Sequence, residues 1–204
     1  ITAAQERARE RLWAVYGVDF TSARLALKSL FPTAQKIVVE IGFGMGEATI
    51  EVAKGFPETG FLAVDVHQPG IGKILASIEE CGLSNIRVMD EDAHLILRSM
   101  IDDESLDGIH LFFPDPWPKT RHHKRRIVNE EFISLIHSKL QSGGTFHVAT
   151  DWHPYAEWIK ERFAQTPLFE GGEVDRPKWR PITRFEGQGI RKEHRVADLI
   201  YKKV

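Results

Sequence analysis

Cysteine is almost missing from this 204-residue chain: Cys81 stands alone. One thiol excludes an intrachain disulfide and any cysteine-rich zinc site, and it fits a reducing compartment, so a cytoplasmic location is expected. Long apolar runs are missing too. No stretch approaches the roughly 20 residues that span a bilayer and no secretory leader is recognisable, so no membrane association is expected. Charge of one sign does not dominate either. Lys and Arg number 27 against 29 Asp and Glu, a net charge of −2, which excludes a uniformly basic protein that clings to polyanions. Internal repeats and low-complexity tracts are absent.

What remains is ordinary globular material. Hydrophobic residues at 42% and charged residues at 27% leave no case for wholesale disorder. The length suits one domain with a real core and leaves little room for a second. Because the chain begins at Ile1 and not Met, some N-terminal sequence is expected to precede it.

Residues 1–35 read as a helical, basic-rich lead-in, and 36–204 as a single domain in which strands and helices alternate. Ile37 to Ile41 is a short β-branched run, a buried strand. A helix over Glu47 to Lys54 stops at the breakers Gly55-Phe56-Pro57. Strands follow at Phe61 to Val66, Ile86 to Met89, Asp107 to Phe113 and Gly144 to Thr150. Helices are expected over Ile71 to Glu80, Ala93 to Met100, Asn129 to Leu140 and Pro154 to Gln165. Such alternation implies right-handed crossovers and a mostly parallel sheet with helices on both faces, an α/β Rossmann-like class. Arg195 to Val204 reads as a last strand, antiparallel, at or near the sheet edge.

Positive charge is concentrated in one place. The strand ending at Phe113 runs into Pro114-Asp115-Pro116-Trp117-Pro118-Lys119, followed by Arg121, His122, His123, Lys124, Arg125 and Arg126. Three prolines in five residues fix φ and push their predecessors toward extended backbone, so this turn has little freedom to lose. A carboxylate and an indole held beside cations can grip a base and its phosphates. A basic run is also commonly no more than a solvated face, and Trp117 can equally cap the core. Position favours the first reading, since ligands of open α/β sheets sit beyond the carboxyl ends of the strands. His122 and His123 are adjacent and cannot face one metal from a regular element, so they are assigned to the same basic, base- and phosphate-gripping surface and no metal is expected. His67, His110 and His147 read as structural.

Gly42, Gly44 and Gly46 form the turn after the first strand, flanked by Glu40 and Glu47. Glycines let backbone approach a ligand closely, but the spacing is not that of a dinucleotide-binding turn. Carboxylates beside it repel a pyrophosphate and suit a ligand bearing an ammonium and a sulfonium. Asp65, about 20 residues beyond, stands where an acid holds ribose hydroxyls; it can also be a plain solvated strand end. Asp92 follows the third strand, where a polar side chain can meet an adenine amino group. Adenosine, ribose and a cationic amino-acid tail describe S-adenosylmethionine.

The turn at 40–46, Phe-Pro-Asp-Pro-Trp-Pro-Lys at 113–119, the basic run at 121–126, Thr-Asp-Trp at 150–152 and Arg-Pro-Ile-Thr-Arg-Phe-Glu at 180–186 together resemble the bacterial tRNA (guanine-N7-)-methyltransferase family. The resemblance spans about residues 36 to 200. It implies a class I methyltransferase fold, S-adenosylmethionine as donor, and methylation of guanine N7 at nucleotide 46 in the tRNA variable loop. By motif position it places Glu40, Gly42, Gly44, Gly46, Asp65, Asp92 and Asp115 on the cofactor, with Asp115 catalytic. Lys119, Asp151, Thr183, Arg184, Phe185 and Glu186 fall on the substrate side. Two departures bear on the C-terminal RNA contacts: Glu186-Gly187-Gln188-Gly189 lacks an arginine usual before the glycine, and Glu193 replaces a glycine before His194. The implied partner is tRNA, with no obligatory protein partner and a monomer or homodimer expected. A small-molecule methyltransferase and a noncatalytic RNA-binding subunit of the same fold are the competing readings.

Overall fold

The computed structural model describes residues 1–182 and 195–204. Five strands run parallel: β1 (Lys36–Ile41), β2 (Thr59–Val64), β3 (Ile86–Met89), β4 (Leu106–Phe112) and β5 (Leu140–Thr150). Their near-continuous apolar runs are what a sheet covered on both faces requires. Neighbouring residues divide between the faces with the period of two that pleating imposes. Val38, Phe61, Ala63 and Val88 join one core with α3 (Glu47–Gly55) and α4 (Gln68–Glu80). Val39, Leu62, Val64 and Met89 join the other, with α5 (Ala93–Ser99), α6 (Glu130–Lys139) and α7 (His153–Ala164).

The sheet is completed by β6 (Phe169–Val174) and β7 (Ala197–Lys203), giving the order β3-β2-β1-β4-β5-β7-β6. The last strand is antiparallel to β5, as expected, with Thr150 opposite Ala197, and it is second from the edge. The edge is β6, which lies outside the expected set of strands. Its Glu-Gly-Gly-Glu centre, open to solvent apart from the half-buried Gly172, carries no apolar pattern to announce it.

The lead-in is built onto the domain. Helix α1 (Ala3–Tyr16) opens with a capping box: Gln5 donates its N–H to the Thr2 hydroxyl (3.3 Å) and accepts from the Thr2 N–H (2.7 Å). Ala8 and Leu12 are buried in the same core as Ile74, Leu75 and Ile78 of α4. The two helices approach so closely that a Cβ at Gly72 would lie 2.4 Å from the Gln5 carbonyl oxygen. A one-turn helix, α2 (Leu27–Leu30), then seats Leu27 and Phe31 against the opposite core.

Several boundaries differ from expectation, β5 starting at Leu140 and not Gly144 among them, and two of the differences bear on the site. Helix α4 starts at Gln68 and not Ile71, because Pro69 sits in its first turn, where a missing N–H costs nothing. Strand β2 ends at Val64, so Asp65 stands just beyond the strand and not within it.

Candidate active site

The order in which strands are added to the sheet reverses between β1 and β4. From β1 the connections proceed outward to β2 and β3; from β4 they proceed the other way to β5. The two strands are paired, with Ile41 opposite Leu111, so the turns leaving them share one crevice at the carboxyl edge. That is where ligands of open α/β sheets bind. One turn is the glycine turn and the other holds Asp115.

Gly42, Gly44 and Gly46 all have left-handed backbone, with φ of 74°, 60° and 80°. Gly44 is packed on one side and open on the other. A Cβ at Gly70 of α4 would come within 1.8 Å of its carbonyl oxygen, whereas a Cβ on Gly44 itself would meet nothing within 4 Å. Asp65 ties the turn to α4, accepting from the Gly44 N–H (2.7 Å) and the His67 N–H (2.9 Å). Each carboxylate oxygen keeps a second lone pair for a ligand hydroxyl. His67 is exposed, not a core histidine. Asp92 caps α5, accepting from the His94 and Leu95 N–H groups (2.9 and 3.1 Å), and is otherwise open to solvent.

Glu40 is 4% exposed. Burial pushes its pKa up to about 7; the nearby Asp65 charge adds to this and the Thr49 hydroxyl opposes it. A buried carboxyl beside an open glycine turn has its ionised form poorly compensated, which is a readiness for a cation. Sequence reasoning missed a neighbouring polar link. Gln68 donates to both oxygens of Asp90 (2.8 and 2.9 Å), and Arg9 of α1 pairs with Asp90 (2.6 Å) and also donates to Gln68. Thus α1, α4 and the end of β3 are locked together at the crevice rim. Only the alignment of three distant elements reveals this, and no local motif signals it.

The proline turn is strained on both sides of Asp115. Phe113 and Trp117 have φ of 55° and 44°, unusual for bulky residues without glycine's freedom. Asp115 itself is exposed, in the turn that leaves β4. Lys119 precedes a 3-10 helix, Thr120–Arg125, from which Arg121, Lys124 and Arg125 project into solvent. His122 and His123 are half-buried, set edge-on against Trp117 and Trp158. The Arg125 guanidinium lies 4.9 Å from the Trp117 ring centre, so one side of the indole is already covered.

Arg126 departs from the expected RNA surface. It is 3% exposed, donates through Nε to the Pro116 carbonyl oxygen (2.8 Å), and lies over the rings of Tyr155 (5.0 Å) and Trp158 (4.8 Å). Planar guanidinium stacks readily on aromatic faces, which explains its inward turn. It is therefore removed from the RNA-facing set.

Asp151 is half-buried at the end of β5 and lines a cavity of about 360 Å³ with Thr150, Trp152, His153, Glu173 and Arg195. The strand end that carries Asp151 is next to the one that enters the proline turn, with Ala149 opposite Phe112. Thr183, Arg184, Phe185 and Glu186 lie outside the described residues. No helix among the described residues is long and apolar enough to cross a membrane.

Comparison with known proteins agrees with this geometry. A family described as putative methyltransferase matches residues 34–199. A tRNA (guanine-N(7)-)-methyltransferase of Streptomyces avermitilis is 49% identical, spanning 100% of this chain and 72% of the relative. One from Neisseria meningitidis serogroup A is 46% identical over 100% of this chain and 87% of its own. In fold, the crystal structure of the 16S rRNA methyltransferase KamB superposes with a TM-score of 0.65 at 16% identity, over 87% of this chain and 92% of that one. With the switch-point crevice, its glycine turn and its proline-bound carboxylate in place, the chain belongs to the tRNA (guanine-N7-)-methyltransferase family.

Proposed function

We propose that this protein transfers a methyl group from S-adenosylmethionine to N7 of guanine 46 in the tRNA variable loop, a cytoplasmic reaction. The observation that carries the reading is the shared crevice: the open glycine turn after β1 and the strained Asp115 turn after β4 leave neighbouring strand ends. The residues fit the donor. Gly44 leaves room for a close backbone approach, Asp65 keeps lone pairs for ribose hydroxyls, Asp92 is exposed for an adenine amino group, and buried Glu40 awaits a cation. When bound, S-adenosylmethionine supplies an electrophilic methyl group on a sulfonium.

Guanine N7 carries an in-plane lone pair and no proton, so no general base is needed. The protein's task is alignment of nucleophile and methyl carbon. As the new bond forms the purine becomes cationic. A fixed carboxylate at Asp115 matches that developing charge better than it matches neutral guanine, which lowers the barrier instead of merely tightening binding. Exposed Arg121, Lys124 and Arg125 supply phosphate contacts, and Lys119 and Asp151 flank the substrate side.

A tRNA transcript carrying 7-deazaguanosine at nucleotide 46 tests the acceptor atom. It should bind normally yet accept no methyl group, while the guanosine transcript is methylated. Equal transfer to both would exclude N7 of that base.

Two predictions arise from the donor side. Gly44→Val should abolish donor binding in calorimetry while tRNA binding persists. A β-branched residue at φ of 60° is strained, and its side chain would fill the open side of the turn. Unchanged donor affinity would make the turn a mere connector. The second concerns Glu40, whose pKa is raised from 4.5 to about 7. The folded protein holds this proton more tightly than the unfolded chain. Its stabilising contribution is therefore present below about 4.5 and lost as pH rises toward 7. A cationic donor favours the ionised form, so donor affinity should rise with pH up to about 7 and then level, with proton release on binding at pH 6. Glu40→Gln should flatten that profile; a wild-type profile already flat from pH 5 to 8 would contradict the assignment.

A further inference from the structure

A turn with two bulky residues in left-handed backbone persists only where its surroundings over-determine it. Two buried arginines provide that constraint here, one against each chain flank of Asp115. Downstream, Arg126 donates to the Pro116 carbonyl oxygen (2.8 Å) and is wedged over the Tyr155 and Trp158 rings of α7. Against the upstream flank, Phe112 and Phe113, lies the fully buried Arg180, its guanidinium 5.9 Å and 5.8 Å from their ring centres. Its own position is fixed by Asp198 of β7, through Nε to Oδ1 (2.6 Å) and a second nitrogen to Oδ2 (2.8 Å). His147 of β5 completes the set: its Nε2 lies 2.7 Å from Asp198 Oδ1, and its ring stands edge-on to Phe112 at 5.0 Å. Strands β5 and β7 are thereby linked by hydrogen bonds to the Asp198 carboxylate beneath the turn, and the Phe112 ring of β4 packs on the same group.

We propose that Arg126 and Arg180 are positioning residues for methyl transfer, bracing the strained turn so that Asp115 stands at a fixed distance from the reacting base. This rests on the functional reading above. A buried ion pair contributes little net stability compared with apolar side chains of similar volume, so the burial of Arg180 and Asp198 together calls for a different reason. Holding a catalytic carboxylate to within a fraction of an ångström is such a reason, since a misplacement of about 1 Å can cost on the order of 100-fold in rate.

The test separates positioning from bulk stability. Arg180→Met is made together with Asp198→Asn, which removes the charge of both partners and keeps an amide oxygen facing His147 Nε2; Arg126→Met and Arg126→Gln are made singly. Melting temperature, donor and tRNA affinity, and the single-turnover methyl-transfer rate at saturation are measured for each. The paired variant should fold with near-wild-type melting temperature and affinities, yet transfer methyl about 100-fold more slowly. Arg126→Met should lose rate similarly, and Arg126→Gln, still able to donate an N–H to the Pro116 carbonyl, should recover most of it. A folded paired variant with wild-type rate, or losses confined to tRNA affinity, would overturn the proposal. So would an Arg126→Gln protein that recovers stability without rate. If wild-type protein instead methylates a different acceptor, the functional reading fails alone, and the same variants assayed on that acceptor still decide the role of the two arginines.

Discussion

Asp115→Asn should transfer methyl at least about 100-fold more slowly than wild type under single-turnover conditions, the scale of losing one preorganised electrostatic partner of a transition state. The amide keeps the shape of the carboxylate and removes its charge. Asp115 is exposed, so the substitution carries no packing cost and the variant should melt with wild type. Affinity for tRNA should be little changed, because neutral guanine offers the carboxylate less than the cationic transition state does. The loss therefore belongs in the rate and not in KM. Near-normal turnover would remove Asp115 from the mechanism and leave the proline turn as a rigid spacer.

The second large effect concerns the exposed basic helix. Replacing Arg121, Lys124 and Arg125 together by alanine should weaken tRNA binding strongly at low salt and flatten its salt dependence. Each phosphate contact contributes roughly −0.7 to −0.9 to the slope of log K against log salt, so losing three should reduce the slope by about 2 to 3 units. Arg126 is left in place because its guanidinium serves the Pro116 carbonyl and two aromatic rings, and removing it would mix a displaced proline turn into a binding measurement. Donor affinity should barely move, since positive charge has no favourable role beside a sulfonium. Surviving tRNA affinity with impaired donor binding would show that this helix shapes the cofactor crevice instead.

These two results divide along a line that also separates what was legible in the sequence from what was not. The strands β1 to β5 announce themselves because both faces of a parallel sheet are buried, leaving runs such as Ile37 to Ile41 with few alternatives. The edge strand β6 is hidden for the converse reason: Gly171 and Gly172 offer no side chain to pack, and its pairing with β7 alone defines it. Asp115 and the glycines could be located because prolines and glycines constrain backbone locally, and strand ends then fix their place. The orientation of Arg126 could not be read locally. Six consecutive polar or basic residues from 121 to 126 look alike in sequence, and only the arrival of Tyr155 and Trp158 from α7 selects which one turns inward. The same holds for Arg180, Asp198 and His147, which lie on separate segments and meet only once β7 inserts beside β5. Local chemistry names the groups proposed to face the substrate, whereas the groups that hold them emerge from tertiary packing.

The central claim is that one crevice, formed by the turns after β1 and β4, moves a methyl group onto guanine N7 of tRNA. The most direct measurement supplies isotope-labelled S-adenosylmethionine to the purified protein with unmodified tRNA, digests the product to nucleosides and separates them. All label should elute as N7-methylguanosine derived from the variable-loop guanine, and it should vanish with the Asp115→Asn protein. Label in any other nucleoside, or none in tRNA while the protein binds donor normally, would contradict the account.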